Sequence, residues 1–185
     1  MSSLFGIQAW KLLLWLPFLI AFGSIVYYTV RTGISPMPSS PLARRAILGM
    51  LPADLTGAIV DLGSGWGSLA FPLARRFQSA RVCGYEVSWV PFLCSRLRLR
   101  ITRPPNLCIR RCDFFEVSFS EYDVVVCYLY TGAMRRLKSK LESELRPGTL
   151  VLSHTFAVHG WHPERVVRLG DTFATRIYLY RMPAC

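Results

Sequence analysis

From residue 57 onward the apolar positions come in two alternating kinds. Runs of four or five suit covered strands, and stripes spaced three or four apart suit helices. Ahead of them lies one long uncharged stretch, Leu12 to Val30. It holds nineteen residues and would measure about 28 Å as a helix, enough to cross a bilayer. Downstream, Ala58 to Leu62, Arg81 to Tyr85, Leu107 to Arg111, Tyr122 to Leu129 and Leu150 to His154 read as strands, and Val166 to Leu169 with Thr175 to Arg181 as a terminal hairpin. Between them, Ser68 to Phe77 reads as a helix, with Pro72 near the first turn, where its missing N–H costs least. Val90 to Arg103 carries Val90, Cys94, Leu97 and Ile101 on one stripe, of the kind that faces a core, and stops before Pro104-Pro105. Ala133 to Leu145 places Met134, Leu137, Leu141 and Leu145 on one face before Pro147-Gly148. Such alternation predicts an α/β fold, a Rossmann-like three-layer sandwich with a mostly parallel central sheet, preceded by one N-terminal transmembrane helix.

The ends of the uncharged stretch refine that division. Trp10 and Trp15 at one end and Tyr27 and Tyr28 at the other resemble interfacial belts. A cleaved signal peptide competes, but the apolar region is long for one and no small-residue cleavage site follows; a helix docked on its own domain is the third option. Lys11 alone precedes the span, whereas Arg31, Arg44 and Arg45 follow it, so the domain is expected on the cytoplasmic side of a single-pass membrane protein. Gly33, Pro36, Pro38 and Pro41 among serines make a linker. The division is therefore 1–31 anchor, 32–41 linker and 42–185 domain. Leu42 to Leu51 opens the domain as a short helix with Arg44 and Arg45 outward.

The candidate chemistry centres on Val60 to Gly67, V-D-L-G-S-G-W-G, which joins a covered strand, an acid and three glycines. Gly63, Gly65 and Gly67 let the chain turn sharply and approach a ligand, and Asp61 ends the strand where open α/β sheets bind ligands. The spacing G-x-G-x-G departs from the dinucleotide fingerprint G-x-G-x-x-G. An acid beside the turn suits the positive aminoacyl and sulfonium groups of S-adenosylmethionine better than a pyrophosphate. Glu86, nineteen residues past Gly67, stands where a second strand would present a carboxylate to a ribose. A turn that merely joins a strand to a helix is the alternative.

These residues resemble the class I S-adenosylmethionine-dependent methyltransferases over roughly residues 41–185. The resemblance implies cofactor contacts from Asp61, Gly63, Ser64, Gly65, Gly67, Glu86, Asp113 and Phe114, with C-D-F-F at Cys112 to Phe115 similar to the adenine-binding segment. Tyr122 to Tyr130 looks like the fourth strand that delivers the reacting centre. G-Y-E-V-S-W-V-P-F-L, M-R-R-L-K-S-K-L-E-S-E-L-R-P-G and the later H-T-F are similar to the branch containing the mitochondrial lysine methyltransferases of the ATP synthase c-subunit and the adenine nucleotide translocase, with their bacterial relatives. Trp66, where those enzymes usually carry an acid, and Tyr128 to Thr131 depart from them, so their substrates do not simply carry over. In related methyltransferases a helix placed like Leu42 to Leu51 helps close the cofactor site.

Charge and cysteines change the picture in two places. The formal net charge is +11, and Arg96, Arg98, Arg100, Arg103, Arg110 and Arg111 fall within sixteen residues that contain no acid. Arg135, Arg136, Lys138 and Lys140 form a second cluster, which Glu142 and Glu144 adjoin. An anionic membrane surface fits beside an anchor, and nucleic acid ranks behind it. The six cysteines, Cys83, Cys94, Cys108, Cys112, Cys127 and Cys185, form no C-x-x-C pair and read as reduced core residues.

Methyl transfer to an amine requires its neutral form, and a lysine's reference pKa is about 10.4. Tyr128, Tyr130 and His154 lie past the fourth strand or at the end of the fifth and are the candidate catalytic residues, with Tyr128 foremost; core aromatics and a structural histidine are the alternatives. His159, Trp161 and His162 form a candidate gating loop without a third metal ligand. The expected partner is a protein substrate methylated on lysine, with a membrane protein as one candidate. A small-molecule or lipid-headgroup methyltransferase and a non-catalytic cofactor-binding scaffold are the alternatives.

Overall fold

The computed structural model describes residues 2–33 and 37–183, with side chains from Leu14 onward apart from Thr32. Pro36 of the linker, Cys185 and the side chains of Trp10 and Lys11 fall outside the described residues. α1 (Ser2–Thr32) is one helix with Pro17 inside it. Its Leu14–Arg31 window has the length and composition to cross a membrane and is largely exposed, with Tyr28 buried. α2 (Pro41–Met50) starts cleanly because Ser40 Oγ accepts from the Ala43 N–H at 3.1 Å and proline fills the first position.

The domain then runs β1 (Ala58–Leu62), α3 (Ala70–Arg76), β2 (Arg81–Glu86), α4 (Trp89–Thr102), β3 (Leu107–Arg111), β4 (Val124–Cys127), α5 (Thr131–Glu144), β5 (Leu150–His154), β6 (Arg165–Arg168) and β7 (Arg176–Arg181). The seven strands form one sheet in the order β3-β2-β1-β4-β5-β7-β6, with β7 antiparallel to both neighbours and the rest parallel. The order reverses between β1 and β4, which opens a crevice at the strands' C-terminal ends.

Side-chain alternation on β1 shows how the two faces are filled. Ile59 packs with Ala43 and Ile47 of α2, Leu73 of α3 and Ile109 of β3. Val60 and Leu62 turn to the other face and meet Leu137 and Leu141 of α5. Both leucines of α5 are fully buried, and each contributes roughly 1.5–3 kcal/mol by leaving water. Asp61 therefore points to the same face as Ile59, but at the crevice end of the strand.

Three expected elements shift for identifiable reasons. α3 begins at Ala70 instead of Ser68, because Gly63, Gly65 and Gly67 have φ of 71°, 54° and 73° and hold the chain out of a right-handed helix. β4 is shorter than its apolar run, since the Tyr122 N–H closes a turn on Phe119 O at 3.1 Å. The stripe on α4 faces the wrong way for a core helix. Cys94, Leu97 and Ile101 are exposed and Val90 is half-covered, while Pro91 and Ser95 are buried on the opposite side. The arginines and Pro91 displaced the packing face from the apolar stripe, so Cys94 is a surface thiol rather than a core one.

One polar side chain holds the α3–β2 connection to β3. Asn106 Nδ2 lies 3.0 Å from Ala74 O and 2.9 Å from both Phe77 O and Ala80 O, so it satisfies carbonyls that the end of α3 leaves open. Asn106→Ala removes that donor and should lower stability by about 1–3 kcal/mol, read as a shift of the urea midpoint with an unchanged slope.

Candidate functional site

The crevice between β1 and β4 is a cavity of about 360 Å³, within the usual size for a small-molecule site. Asp61, Gly63, Ser64, Gly65, Glu86, Asp113 and Phe114 all line it, and so do Tyr128, Tyr130 and His154. Residues far apart in the chain thus converge on one space. Of the expected cofactor and catalytic residues, only Gly67 stays off the wall; a Cβ on it would come within 2.6 Å of Phe71 Cε2.

The glycine turn is pinned from behind. Ser64 N–H donates to Tyr85 O at 2.9 Å, and Gly67 N–H to Ser64 O at 2.8 Å. Glu86 Oε2 accepts from Gly65 N–H at 2.8 Å and Oε1 from Ser88 N–H at 2.7 Å, which fixes the carboxylate at the end of β2 against the turn. Gly84 makes the close approach possible, because a Cβ there would lie 2.8 Å from Ser64 Oγ.

Electrostatics single out Asp61. It is buried, its Oδ2 has no hydrogen-bond partner among the described residues, and its pKa is raised to about 7. Burial is the main cause, the nearby Glu86 charge adds to it, and the Ala70 N–H works weakly against both. Ser64 Oγ is likewise buried and unpaired. An unpaired buried carboxylate next to a second acid is a site for a cation, and S-adenosylmethionine carries one on its sulfonium and one on its amino group. Donor set and cavity therefore fit that cofactor.

At the β4 and β5 end, the Tyr128 and His154 rings lie 4.2 Å apart by centroid. His154 is buried, its Nδ1 has no partner among the described residues, and burial pushes its pKa below the ordinary histidine value, with Asp171 acting the other way. Cys127 also lines the cavity, but burial raises its thiol pKa to about 12, so it stays protonated. Tyr130 lies against the end of α1, where a Cβ on Gly33 would come within 2.7 Å of its ring.

Several wall residues escape a reading of the sequence alone. Arg31 at the end of α1, Met37 and Ser39 cover the cavity, with Ser39 N–H donating to Ser68 Oγ at 3.1 Å. The closing segment is thus the lead-in to α2. The helix itself, expected to close the site, buries Ala43, Ile47 and Met50 in the core instead. Arg136 reaches the wall from α5 and lies 4.2 Å over the Phe115 ring. Ser88 is legible in principle, as the N-cap after an acid at a strand end. By contrast, His159, Trp161 and His162 do not line the cavity. Trp161 Nε1 donates to Glu142 Oε1 at 2.8 Å and its ring packs on Tyr180, which ties that loop to α5.

Comparison with known proteins agrees with this geometry. Residues 61–165 match the family model described as the ANTKMT methyltransferase domain. A protein-lysine N-methyltransferase of Saccharolobus islandicus is 31% identical over 78% of this chain and 91% of its own length. An ATP synthase c-subunit lysine N-methyltransferase of Xenopus laevis is 31% identical over 75% of this chain, which spans 61% of that protein. A solved RNA methyltransferase from Salinibacter ruber, in complex with S-adenosyl-L-homocysteine, superposes with a TM-score of 0.72 at 30% identity, covering 80% of this chain and 94% of that one.

The raised pKa of Asp61 has a sign that can be tested. The folded protein keeps a proton on Asp61 up to about pH 7, whereas the unfolded chain loses it near 3.8. Stability contributed at this site is therefore highest in acid and falls as pH rises between those values. Asp61→Asn should raise the stability of the ligand-free protein at pH 8 by on the order of 1–4 kcal/mol, measured by denaturant unfolding, while weakening S-adenosylmethionine binding at least tenfold in calorimetry.

Proposed function

The chain belongs to the ANTKMT methyltransferase family, and from its use of S-adenosylmethionine we propose that it methylates a lysine amine of a protein at a membrane. Carrying this reading is the placement of the Tyr128–His154 pair in the same cavity as Asp61. The naming of its relatives as lysine methyltransferases supports the substrate class.

Bound in the cavity, S-adenosylmethionine supplies an electrophilic methyl group on a positive sulfur. Asp61 and Glu86 would hold the positive and hydroxyl-bearing parts of the cofactor, and Asp113 and Phe114 its adenine. The glycine turn of Gly63, Ser64 and Gly65, with Gly67 setting its exit, brings backbone close to the ligand. Tyr128 and Tyr130 present aromatic walls to an incoming ammonium, which is attracted to ring faces. His154, whose charged form burial disfavours, offers the Nδ1 left unpaired among the described residues to accept the proton that the amine must lose. The remaining work is alignment and exclusion of water, which Arg31, Met37 and Ser39 assist by covering the cavity.

α1 supplies the tether in this reading. Its length, its largely exposed apolar window and the arginines after it support a single span with the domain on the cytoplasmic side, and residues 32–41 serve as the link. A protein substrate in the same bilayer would then meet the site at raised effective concentration. The Salinibacter neighbour favours a second reading, transfer to RNA.

The full chain, incubated with membranes and methyl-labelled cofactor, should label protein bands that mass spectrometry assigns to methyl-lysine. Label confined to RNA or to the lipid extract would overturn the lysine assignment. His154→Ala should lower kcat by about 10²–10⁴-fold with cofactor affinity retained.

A further inference from the structure

The outward stripe of α4 is the largest feature that the methyl-transfer site does not use. Trp89, Leu93, Leu97 and Ile101 recur every fourth residue and so share one line along the helix, and they are 46%, 55%, 60% and 72% exposed. Arg96 and Arg100 border that line on one side and Arg98 on the other, all exposed. With Arg103, Arg110 and Arg111 they make six cations, and none of them joins an ion pair among the described residues. RNA would use the arginines but leave four large apolar side chains in water. The headgroup layer of an anionic bilayer uses both, since acyl chains take the apolar line and lipid phosphates the flanking cations.

Contact with α1 argues for the same occupant. α1 packs against α4, and its covered side chains, Ala21, Ser24, Ile25, Tyr28 and Thr29, fall within the Leu14–Arg31 window. Any bilayer crossed by that window brings its surface to α4. Trp89 also follows closely on Glu86, and Arg111 lies 3.9 Å over its ring, so the start of the stripe is next to the cavity mouth.

We propose that α4 lies in the headgroup layer of an anionic membrane, with Trp89, Leu93, Leu97 and Ile101 inserted and the arginines of α4 on lipid phosphates. The inference rests on reading α1 as a membrane span. It adds a second attachment that sets the domain's tilt, so that the cavity opens along the bilayer surface, where a lysine at the end of a substrate's own span would present itself.

Spin labels on the full chain test this. Cys94, Cys108, Cys112 and Cys185 are replaced by serine, and single labels are placed by Leu97→Cys on α4, Ser143→Cys on α5 across the sheet, and Leu19→Cys in α1. The protein is reconstituted in vesicles of phosphatidylcholine with phosphatidylglycerol, and accessibility to oxygen and to a water-soluble nickel chelate is read. The Leu97 label should sit about 5–10 Å below the phosphates, the Ser143 label in water and the Leu19 label deep in the bilayer. In phosphatidylcholine alone, the Leu97 label should rise toward water. A Leu97 label as open to nickel as the Ser143 label, with Leu19 deep, overturns the placement of α4 and leaves the span standing. A Leu19 label in water overturns the span and the inference built on it. Protection of the Leu97 label by single-stranded RNA, with none from anionic vesicles, assigns the face to nucleic acid and overturns the proposal.

Discussion

Asp61 is carried by β1 to the reversal point of the sheet, where its Oδ2 is sealed from water without a donor among the described residues and Glu86 stands nearby. Burying a carboxylate in this way costs free energy unless the proton stays on or a cation arrives. The surrounding parts keep the protein from relieving the strain by itself. Glu86 cannot swing away, because the Gly65 and Ser88 N–H groups hold both its oxygens. The turn cannot lift, because Ser64 N–H is bonded to Tyr85 O in the neighbouring strand. A parallel sheet whose order reverses at this strand, with helices covering both faces, is the frame that keeps the two acids in place.

Much of this is legible in the residues, and what is not has a physical reason. β1, β3 and β5 are bounded as expected because each is a short apolar run closed by turn residues or charge, so local pattern and tertiary burial agree. Asp61, Glu86 and Asp113 are reachable because strand ends place side chains predictably at one edge of the sheet. α4 misleads because a stripe of Cys94, Leu97 and Ile101 is the usual signature of a packing face, and periodicity alone does not say which face a core will cover. Arg31, Met37 and Ser39 escape because their meeting with the glycine turn is long-range, made through Ser39 and Ser68. The loop of His159, Trp161 and His162 is hard to place for the same reason, since its anchor Glu142 lies on α5.

The two departures from soluble-domain pattern point in one direction. From Leu14 to Val30, α1 leaves large apolar side chains uncovered, and α4, packed against it, does the same on its outer line. The end of α1 also contributes Arg31 to the cavity wall and sets Gly33 against Tyr130. The helix proposed as the attachment and the candidate site therefore share the same few turns of chain. Under the proposed arrangement, α1 would restrict which substrates reach the cavity by holding its mouth at the bilayer, and α4 would fix the angle of approach.

Asp61 is an acid held ready for a cation. Carbon-13 NMR of the Asp61 side-chain carboxyl, followed across pH with and without S-adenosylmethionine, tests it directly. The carboxyl should titrate at about pH 7 in the free protein and markedly lower once the cofactor is bound. A free-state titration near the ordinary carboxylate value, unmoved by the cofactor, would contradict it.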